Sequence, residues 1–302
     1  MSGWRILADW GSTRLRLWRM TGETVAERAD GPGIGGLADT PTEALRSAIA
    51  PWLAEHGAPD RIILCGMAGA RNGLREVAYV DCPASLAEWR CAATRLDFDG
   101  IPLVIAAGCA SETDVMRGEE TQIFGALALN PALSQGCQTV LHPGTHSKWV
   151  WLQDGQITGL RSFMTGELFA LMQSSSLFAI GGVGAVSAAD QAEGFAAGLA
   201  TARDTPGVLG SLFQARVVQL RQGRTAAWAR GLLSGLLIGG EVAEMRAEGR
   251  LSGGVTLIGE TALTDRYAKA LSAFGTTLGG ADTRQSGDAC ALAGLELLDA
   301  DN

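Results

Sequence analysis

Two stretches of this 302-residue chain repeat each other at a fixed offset of 133 residues, and that duplication restricts the available folds more than any other feature. The first runs Ala8-Asp9-Trp10-Gly11-Ser12-Thr13, Arg14-Leu15-Arg16-Leu17-Trp18, Thr21-Gly22. The second runs Leu141-His142-Pro143-Gly144-Thr145-His146, Ser147-Lys148-Trp149-Val150-Trp151, Asp154-Gly155. Gly11 pairs with Gly144, Ser12 with Thr145, Trp18 with Trp151 and Gly22 with Gly155. In each copy an apolar strand enters, a Gly-Ser/Thr turn follows, a second strand leaves, and a Thr/Asp-Gly turn closes a further hairpin. The plain reading is two ordinary β-hairpins or a chance match. The functional reading is a duplicated fold whose halves each present a phosphate-holding hairpin to a shared cleft.

The chemistry favours the second reading. Successive backbone N–H groups in a tight turn hold phosphate oxygens well. Glycine lets that backbone approach closely, and a Ser or Thr hydroxyl adds a donor. Gly11, Ser12 and Thr13 form one such turn, and Gly144 with Thr145 the other. Asp9 stands where a carboxylate can hold Mg²⁺ through water. His142 occupies that position in the second copy, so the pseudo-symmetry is broken on the metal side.

Composition excludes several other classes. An apolar content of 47% supports a sizeable core, and the length suits two modest domains. A net charge of −8 argues against a nucleic-acid partner. Of the 24 basic residues only Lys148 and Lys269 are lysine, and neither sits in the Gly-Lys-Ser/Thr of a Walker A loop. A protein-kinase set and a Gly-x-Ser-x-Gly elbow are both missing. Gly31-Pro32-Gly33-Ile34-Gly35-Gly36 satisfies Gly-x-Gly-x-x-Gly formally, but it lacks the βαβ context and the downstream acid, so it reads as a surface loop. His142-x-x-x-His146 mimics a helical metal spacing, but Pro143-Gly144 would break that helix. The six cysteines form no Cys-x-x-Cys pair and read as buried thiols of a reducing compartment. No signal-peptide core precedes Asp9. Residues 168–189 carry no charge, but Gln173-Ser174-Ser175-Ser176, Gly181-Gly182 and Gly184 interrupt them. Two short helices, or a helix and a loop, are expected there rather than a membrane span. The expected location is cytoplasmic.

Paired phosphate hairpins around a cleft resemble the sugar kinase/Hsp70/actin superfamily, whose α/β domains have the ribonuclease H-like fold. Five motifs sharpen the likeness. They are Ala8-Asp9-Trp10-Gly11-Ser12-Thr13, Cys65-Gly66-Met67-Ala68-Gly69-Ala70-Arg71, Met116-Arg117-Gly118-Glu119-Glu120-Thr121-Gln122, Pro143-Gly144-Thr145-His146-Ser147-Lys148-Trp149 and Ser162-Phe163-Met164-Thr165-Gly166-Glu167. Together they are similar to the 2-dehydro-3-deoxygalactonokinase family over nearly the whole chain. The resemblance implies ATP-dependent phosphorylation of the 6-hydroxyl of 2-dehydro-3-deoxy-D-galactonate, with ATP and Mg²⁺ as cofactors. It implies an N-terminal domain over 1–132, joined by a C-terminal helix over 284–302, and a second domain over 133–283. ATP·Mg would lie between them, and cleft closure would exclude competing water.

Site residues follow from the motifs. In the superfamily a helix beginning Gly-Asp carries the base that takes the proton from the acceptor hydroxyl. Glu119 and Glu120 hold the corresponding place here, at the start of a helix that ends before Pro131. The change from Asp to Glu leaves both open, with Glu119 slightly favoured; the plain alternative is that both merely suit the helix dipole. Arg71 follows a strand-end loop and offers a fork for the substrate carboxylate. Arg117 and His146 are further substrate candidates, and a surface role is the alternative for Arg71. Lys148 could neutralise transferring phosphate charge. Thr165-Gly166-Glu167 suits either a nucleotide contact or a helix cap. Val255-Thr256-Leu257-Ile258 followed by Gly259 is the expected adenosine element. Gly287-Asp288-Ala289-Cys290 opens a last helix expected to pack on the first domain. A kinase of another acidic or neutral sugar, a non-enzymatic sugar or nucleotide sensor, and an actin-like filament former are the rivals. Oligomeric state is left open, a homo-oligomer being compatible.

Overall fold

The computed structural model describes residues 3–174, 187–205, 207–251, 254–279 and 284–299. Strand β1 (Trp4–Trp10) organises the first sheet. Its residues Ile6, Leu7, Ala8 and Trp10 are buried, as expected of a strand covered on both faces. β2 (Arg14–Thr21) runs antiparallel beside it, and β3 (Thr24–Pro32) returns along the edge after a turn at Gly22. β4 (Arg61–Gly66) pairs parallel on the other side of β1. With β6 (Thr94–Phe98) and β7 (Ile101–Ile105) the order is β3-β2-β1-β4-β7-β6. A small sheet of β5 (Tyr79–Asp81), β8 (Gly108–Ala110) and β9 (Val115–Met116) accompanies it.

The second sheet repeats the first. β10 (Cys137–His142), β11 (Ser147–Gln153) and β12 (Gln156–Phe163) follow one another as β1, β2 and β3 do. β13 (Val255–Gly259) pairs parallel with β10 as β4 pairs with β1, and β14 (Arg284–Ser286) completes the order β12-β11-β10-β13-β14. Asp154 and Gly155 both take positive φ, the geometry of a tight two-residue hairpin whose twist matches its strands. The repeat in sequence is thus a repeat in topology.

Local signals account for the helices. Thr40 caps α1 (Pro41–His56), accepting the Glu43 N–H, with Pro41 in the first turn. Ser85 and Glu88 form a capping box on α2 (Leu86–Ala92). α3 (Glu119–Leu129) ends before Pro131, as its sequence predicts. The remaining α-helices among the described residues are α4 (Thr165–Ser174), α5 (Ala188–Asp204), α6 (Gln214–Gln222), α7 (Ala226–Ala247), α8 (Thr261–Ala273) and α9 (Gly287–Asp299). Much of the high glycine content serves close helix contact. A Cβ added at Gly125 of α3 would lie 1.9 Å from the Cys290 carbonyl of α9, and one at Gly294 of α9 2.0 Å from the Thr121 carbonyl of α3. Gly194 and Gly198 of α5 meet Gly231 and Gly235 of α7 in the same way.

Two compact units result. One comprises Met1–Cys137, Val150–Arg161 and Gln285–Asn302, the other Gln138–Trp149 and Ser162–Arg284. Among the described residues no helix is long and apolar enough to cross a membrane. Of the uncharged stretch, residues 168–174 belong to α4 and Ser187 caps α5, while Ser175, Ser176, Gly181, Gly182 and Gly184 lie outside the described residues.

Candidate active site

The first hairpin turn is closed by the Gly11 N–H, which donates to the Arg14 carbonyl at 2.8 Å, and it leaves Ser12 and Thr13 exposed. The chain then returns beneath the turn. At Gly33 an added Cβ would lie 2.4 Å from Ser12 and Arg14 backbone atoms, and the Gly35 N–H donates to the Ser12 carbonyl at 2.9 Å. The second hairpin has the same underside. At Gly166 a Cβ would lie 2.3 Å from the Gly144 carbonyl, and the Glu167 N–H donates to the Thr145 carbonyl at 2.9 Å. Gly33 and Gly166 are themselves 133 residues apart. The expectation of a mere surface loop over Gly31–Gly36 is therefore corrected: Gly33 and Ile34 are buried, and this segment supports the first turn. The offset that revealed the hairpins also marked these two glycines.

A second matched pair sits at the ends of the parallel strands. Gly66, at φ 78°, would bring a Cβ within 2.6 Å of the Trp10 carbonyl, so no other residue fits there. Gly259 ends β13 with positive φ and faces the carbonyl of Pro143, the residue equivalent to Trp10.

Asp9 is 4% exposed. Its Oδ2 accepts from Arg16 Nη2 at 2.5 Å and from Gln122 Nε2 at 3.2 Å. Arg16 in turn reaches Asp288 Oδ1 at the start of α9, and Arg28 reaches Asp288 Oδ2, both at 2.5 Å. Oδ1 of Asp9 faces two glycines: a Cβ would lie 3.4 Å from it at Gly66 and 4.0 Å at Gly118. No group of three or more His, Cys, Asp or Glu residues is placed to hold a metal among the described residues. Mg²⁺ keeps most of its waters and leans on one or two carboxylates plus phosphates, so a single carboxylate such as Asp9 is compatible with that ion.

Structure separates the two glutamates that the sequence left together. Glu120 is fully buried, and both its carboxylate oxygens accept the Gly118 N–H, at 2.9 and 2.8 Å. Burial, reinforced by the Glu119 charge, pushes its pKa up to about 8. Glu119 is half-buried, and its Oε2 accepts the Arg117 N–H at 3.0 Å. Gly118, at φ 109°, turns the chain sharply into α3.

Arg117 lies against the loop of the second motif. Nη2 donates to the Val77 carbonyl at 2.7 Å, and the guanidinium stands 4.1 Å from the Tyr79 ring centroid. Nη1 is buried without a hydrogen-bond partner among the described residues. A Cβ at Gly69 would lie 2.8 Å from that atom. Arg71, two residues farther along the loop, is exposed.

In the second unit, strand alternation sends Ser147 and Trp149 inward, to Tyr267 and Glu241. His146 is exposed and pairs with Glu167 Oε2 at 2.6 Å. Lys148 is buried, its Nζ donating to Ser162 Oγ at 2.5 Å. Gly144, Gly166, Phe169, Leu263, Arg266 and Tyr267 line a cavity of about 50 Å³ beside the turn. Glu241 beneath it was missed entirely: an acid in a largely apolar helix that also carries Glu244 gives no sequence signal, since its partners sit on three other elements. Burial raises its pKa to about 7 against the hydrogen bonds that favour its charge.

Comparison with known proteins identifies the family. The family model described as 2-keto-3-deoxy-galactonokinase matches residues 9–298. A 2-dehydro-3-deoxygalactonokinase of Escherichia coli (strain K12) is 35% identical over 96% of this chain and 95% of its own length. A Rhizobium meliloti (strain 1021) protein, named a probable 2-dehydro-3-deoxygalactonokinase, is 37% identical over 94% of both chains. A crystal structure of a Sinorhizobium meliloti protein assigned to the same activity superposes with a TM-score of 0.82 at 35% identity, covering 97% of each chain. Component A of the (R)-2-hydroxyglutaryl-CoA dehydratase of Acidaminococcus fermentans is only 13% identical, with a TM-score of 0.53 over 99% of this chain and 98% of that one, and shares the fold alone. The fold is the α/β fold of the sugar kinase/Hsp70/actin class, and the chain belongs to the 2-keto-3-deoxy-galactonokinase family.

Proposed function

We propose that this protein transfers the γ-phosphoryl group of ATP to the 6-hydroxyl of 2-dehydro-3-deoxy-D-galactonate, giving the 6-phosphate and ADP. The observation that carries the reading is the full-length family match. The arrangement at the start of α3 gives it a chemistry. Glu119 is the half-buried carboxylate there, and it takes the hydroxyl proton as the oxygen attacks phosphorus. The P–O bond to the leaving phosphate breaks, and its electron pair stays on ADP. Glu120, sealed from solvent, holds the Gly118 N–H and so sets where Glu119 stands.

Ser12 and Thr13 of one turn, and Gly144 and Thr145 of the other, offer donors to the nucleotide phosphates. Lys148 adds positive charge behind the second turn. Asp9 would hold Mg²⁺ through water, with Arg16 and Gln122 fixing its orientation. When bound, that ion neutralises the charge on the β- and γ-phosphates. Gly259 and the neighbouring cavity suit the adenosine end. Arg117 is the first candidate for the substrate carboxylate, because its buried Nη1 points to a missing anionic partner. Arg71 and His146 are the exposed groups proposed to complete the sugar-acid contacts. Cys65, Cys109 and Cys290 are buried, but Cys82 is half-buried and Cys91 and Cys137 are exposed, against the expectation of six buried thiols; as free thiols they suit a reducing cytoplasm.

A coupled ADP-release assay tests the reading, with 2-dehydro-3-deoxy-D-galactonate, its gluconate epimer and galactose compared side by side. Rapid turnover of the first with much weaker use of the others is expected. ATP binding without turnover of either acid would refute the proposed reaction.

A further inference from the structure

Glu241 sits in the C-terminal third of α7 and is 3% exposed. Three donors converge on its two oxygens. Trp149 Nε1 donates to Oε1 at 2.7 Å, Tyr267 OH donates to Oε2 at 2.8 Å, and the Thr165 hydroxyl also donates to Oε2. The Tyr267 hydroxyl shares a second hydrogen bond, of 2.6 Å, with Ser147 Oγ. A buried carboxylate opposes folding unless its acceptor sites are filled, and an apolar side chain would suit this helix without them. A full set of partners at such a place fixes one geometry in preference to others.

What that geometry governs follows from where the partners stand. Ser147 and Trp149 begin β11, directly after the Gly144-Thr145-His146 turn. Thr165 opens α4, whose next two residues carry the contacts under that turn: Gly166 against the Gly144 carbonyl and the Glu167 N–H on the Thr145 carbonyl. Tyr267 belongs to α8, which starts just after Gly259. Gly144, Thr165, Gly166 and Tyr267 also line the same cavity. One carboxylate therefore joins the strand leaving the turn, the helix beneath it and the helix beside it.

We propose that Glu241 is a positioning residue for the nucleotide: through Thr165, Tyr267 and Ser147 it holds the Gly144-Thr145 turn in its phosphate-binding shape and so sets the affinity for ATP. This rests on the reading of that turn as a phosphate site. The test measures ATP binding directly by calorimetry without sugar acid, together with KM for each substrate. Thr165→Val and Tyr267→Phe each remove one hydroxyl at nearly constant volume. Each should raise Kd for ATP at least fivefold while KM for the sugar acid stays within twofold, and Thr165→Ser should recover most of the lost affinity. Glu241→Gln should weaken ATP binding further if it folds, and the two hydroxyl variants decide the matter if it does not. An unchanged Kd for ATP in folded variants overturns the proposal, as does a parallel rise in both substrate constants. A wild-type protein that binds ATP but leaves the sugar acid untouched refutes the reaction proposed above and leaves this test intact. Failure of the wild type to bind ATP refutes both.

Discussion

Gly166→Ala is a sharp probe of the hairpin geometry. The new Cβ would lie 2.3 Å from the Gly144 carbonyl oxygen and 3.0 Å from Thr145 Cα and O, where ordinary contact begins near 3.4 Å. The mismatch is about 1 Å, and every atom involved is backbone, so no side chain can swing aside. Thr145 is also tied by its carbonyl to the Glu167 N–H. Either the turn or the start of α4 must move by roughly that distance. Overpacking of this kind costs about 1–3 kcal/mol. In a domain of this size, each kcal/mol lowers Tm by about 2–4 °C, so a fall of about 2–12 °C is expected. A displacement of about 1 Å in a positioning element also lowers catalysis by up to about 100-fold. Steady-state kinetics with ATP varied, plus a thermal melt, read both effects. Gly36→Ala is the control: nothing lies within 4 Å of its Cβ, and both measurements should match the wild type. A Gly166→Ala protein with wild-type kcat/KM for ATP and wild-type Tm would refute the account of the turn's underside.

Other consequences can be checked separately. Glu119→Gln should lower kcat by about 10²–10⁴, or about 3–5 kcal/mol in barrier height, with ATP affinity kept; less than a tenfold drop would remove Glu119 as the base. Arg117→Lys keeps the charge but loses the fork, and KM for the sugar acid should rise about tenfold or more while KM for ATP stays put; equal rises in both would argue against a carboxylate contact. Asp9→Asn should shift the Mg²⁺ dependence of the rate to higher concentration, and an unchanged dependence would defeat that role. Burial raises Glu120 to about 8 and Glu241 to about 7, above the 4.5 of a free glutamate. Their contribution to stability is therefore complete below about pH 4.5, declines as pH rises from there, and is gone once pH has passed 7 to 8. The urea midpoint should fall over that range, and Glu120→Gln should flatten the fall; an identical slope in the variant would contradict the assignment.

Fold and site were legible to different degrees, for physical reasons. Gly11 and Gly144 announced the paired hairpins because a tight turn restricts residue type locally, and the five motifs carried the family. Gly33 and Gly166 lay at the same offset, but between motifs of different appearance: Pro32-Gly33-Ile34 reads as a loop and Thr165-Gly166-Glu167 as a helix cap. Their shared task is contact with a turn distant in sequence, which no local pattern records. Glu119 and Glu120 are adjacent and chemically alike, so only burial separates them. The sequence put Arg71 ahead of Arg117 for the substrate carboxylate, because nothing local records that the Arg117 guanidinium is partly sealed against Val77 and Gly69. Glu241 had no signal at all, because its donors come from β11, α4 and α8.

The tight seating of α9 on α3 has a consequence for biosynthesis. Gly125 and Gly294 bring the two backbones into direct contact, and α3 is the helix that begins with Glu119. About 160 residues separate the end of α3 from the start of α9. At about 5–20 residues per second, the ribosome adds them over roughly 8–30 s. Throughout that time the face of α3 that α9 covers has no final partner, although Phe124 already meets Trp89, and the helix bearing the proposed base rests on an unfinished surface. Catalytic competence thus waits for α9, and a chain cut short before residue 287 would be inactive and a ready client for chaperones.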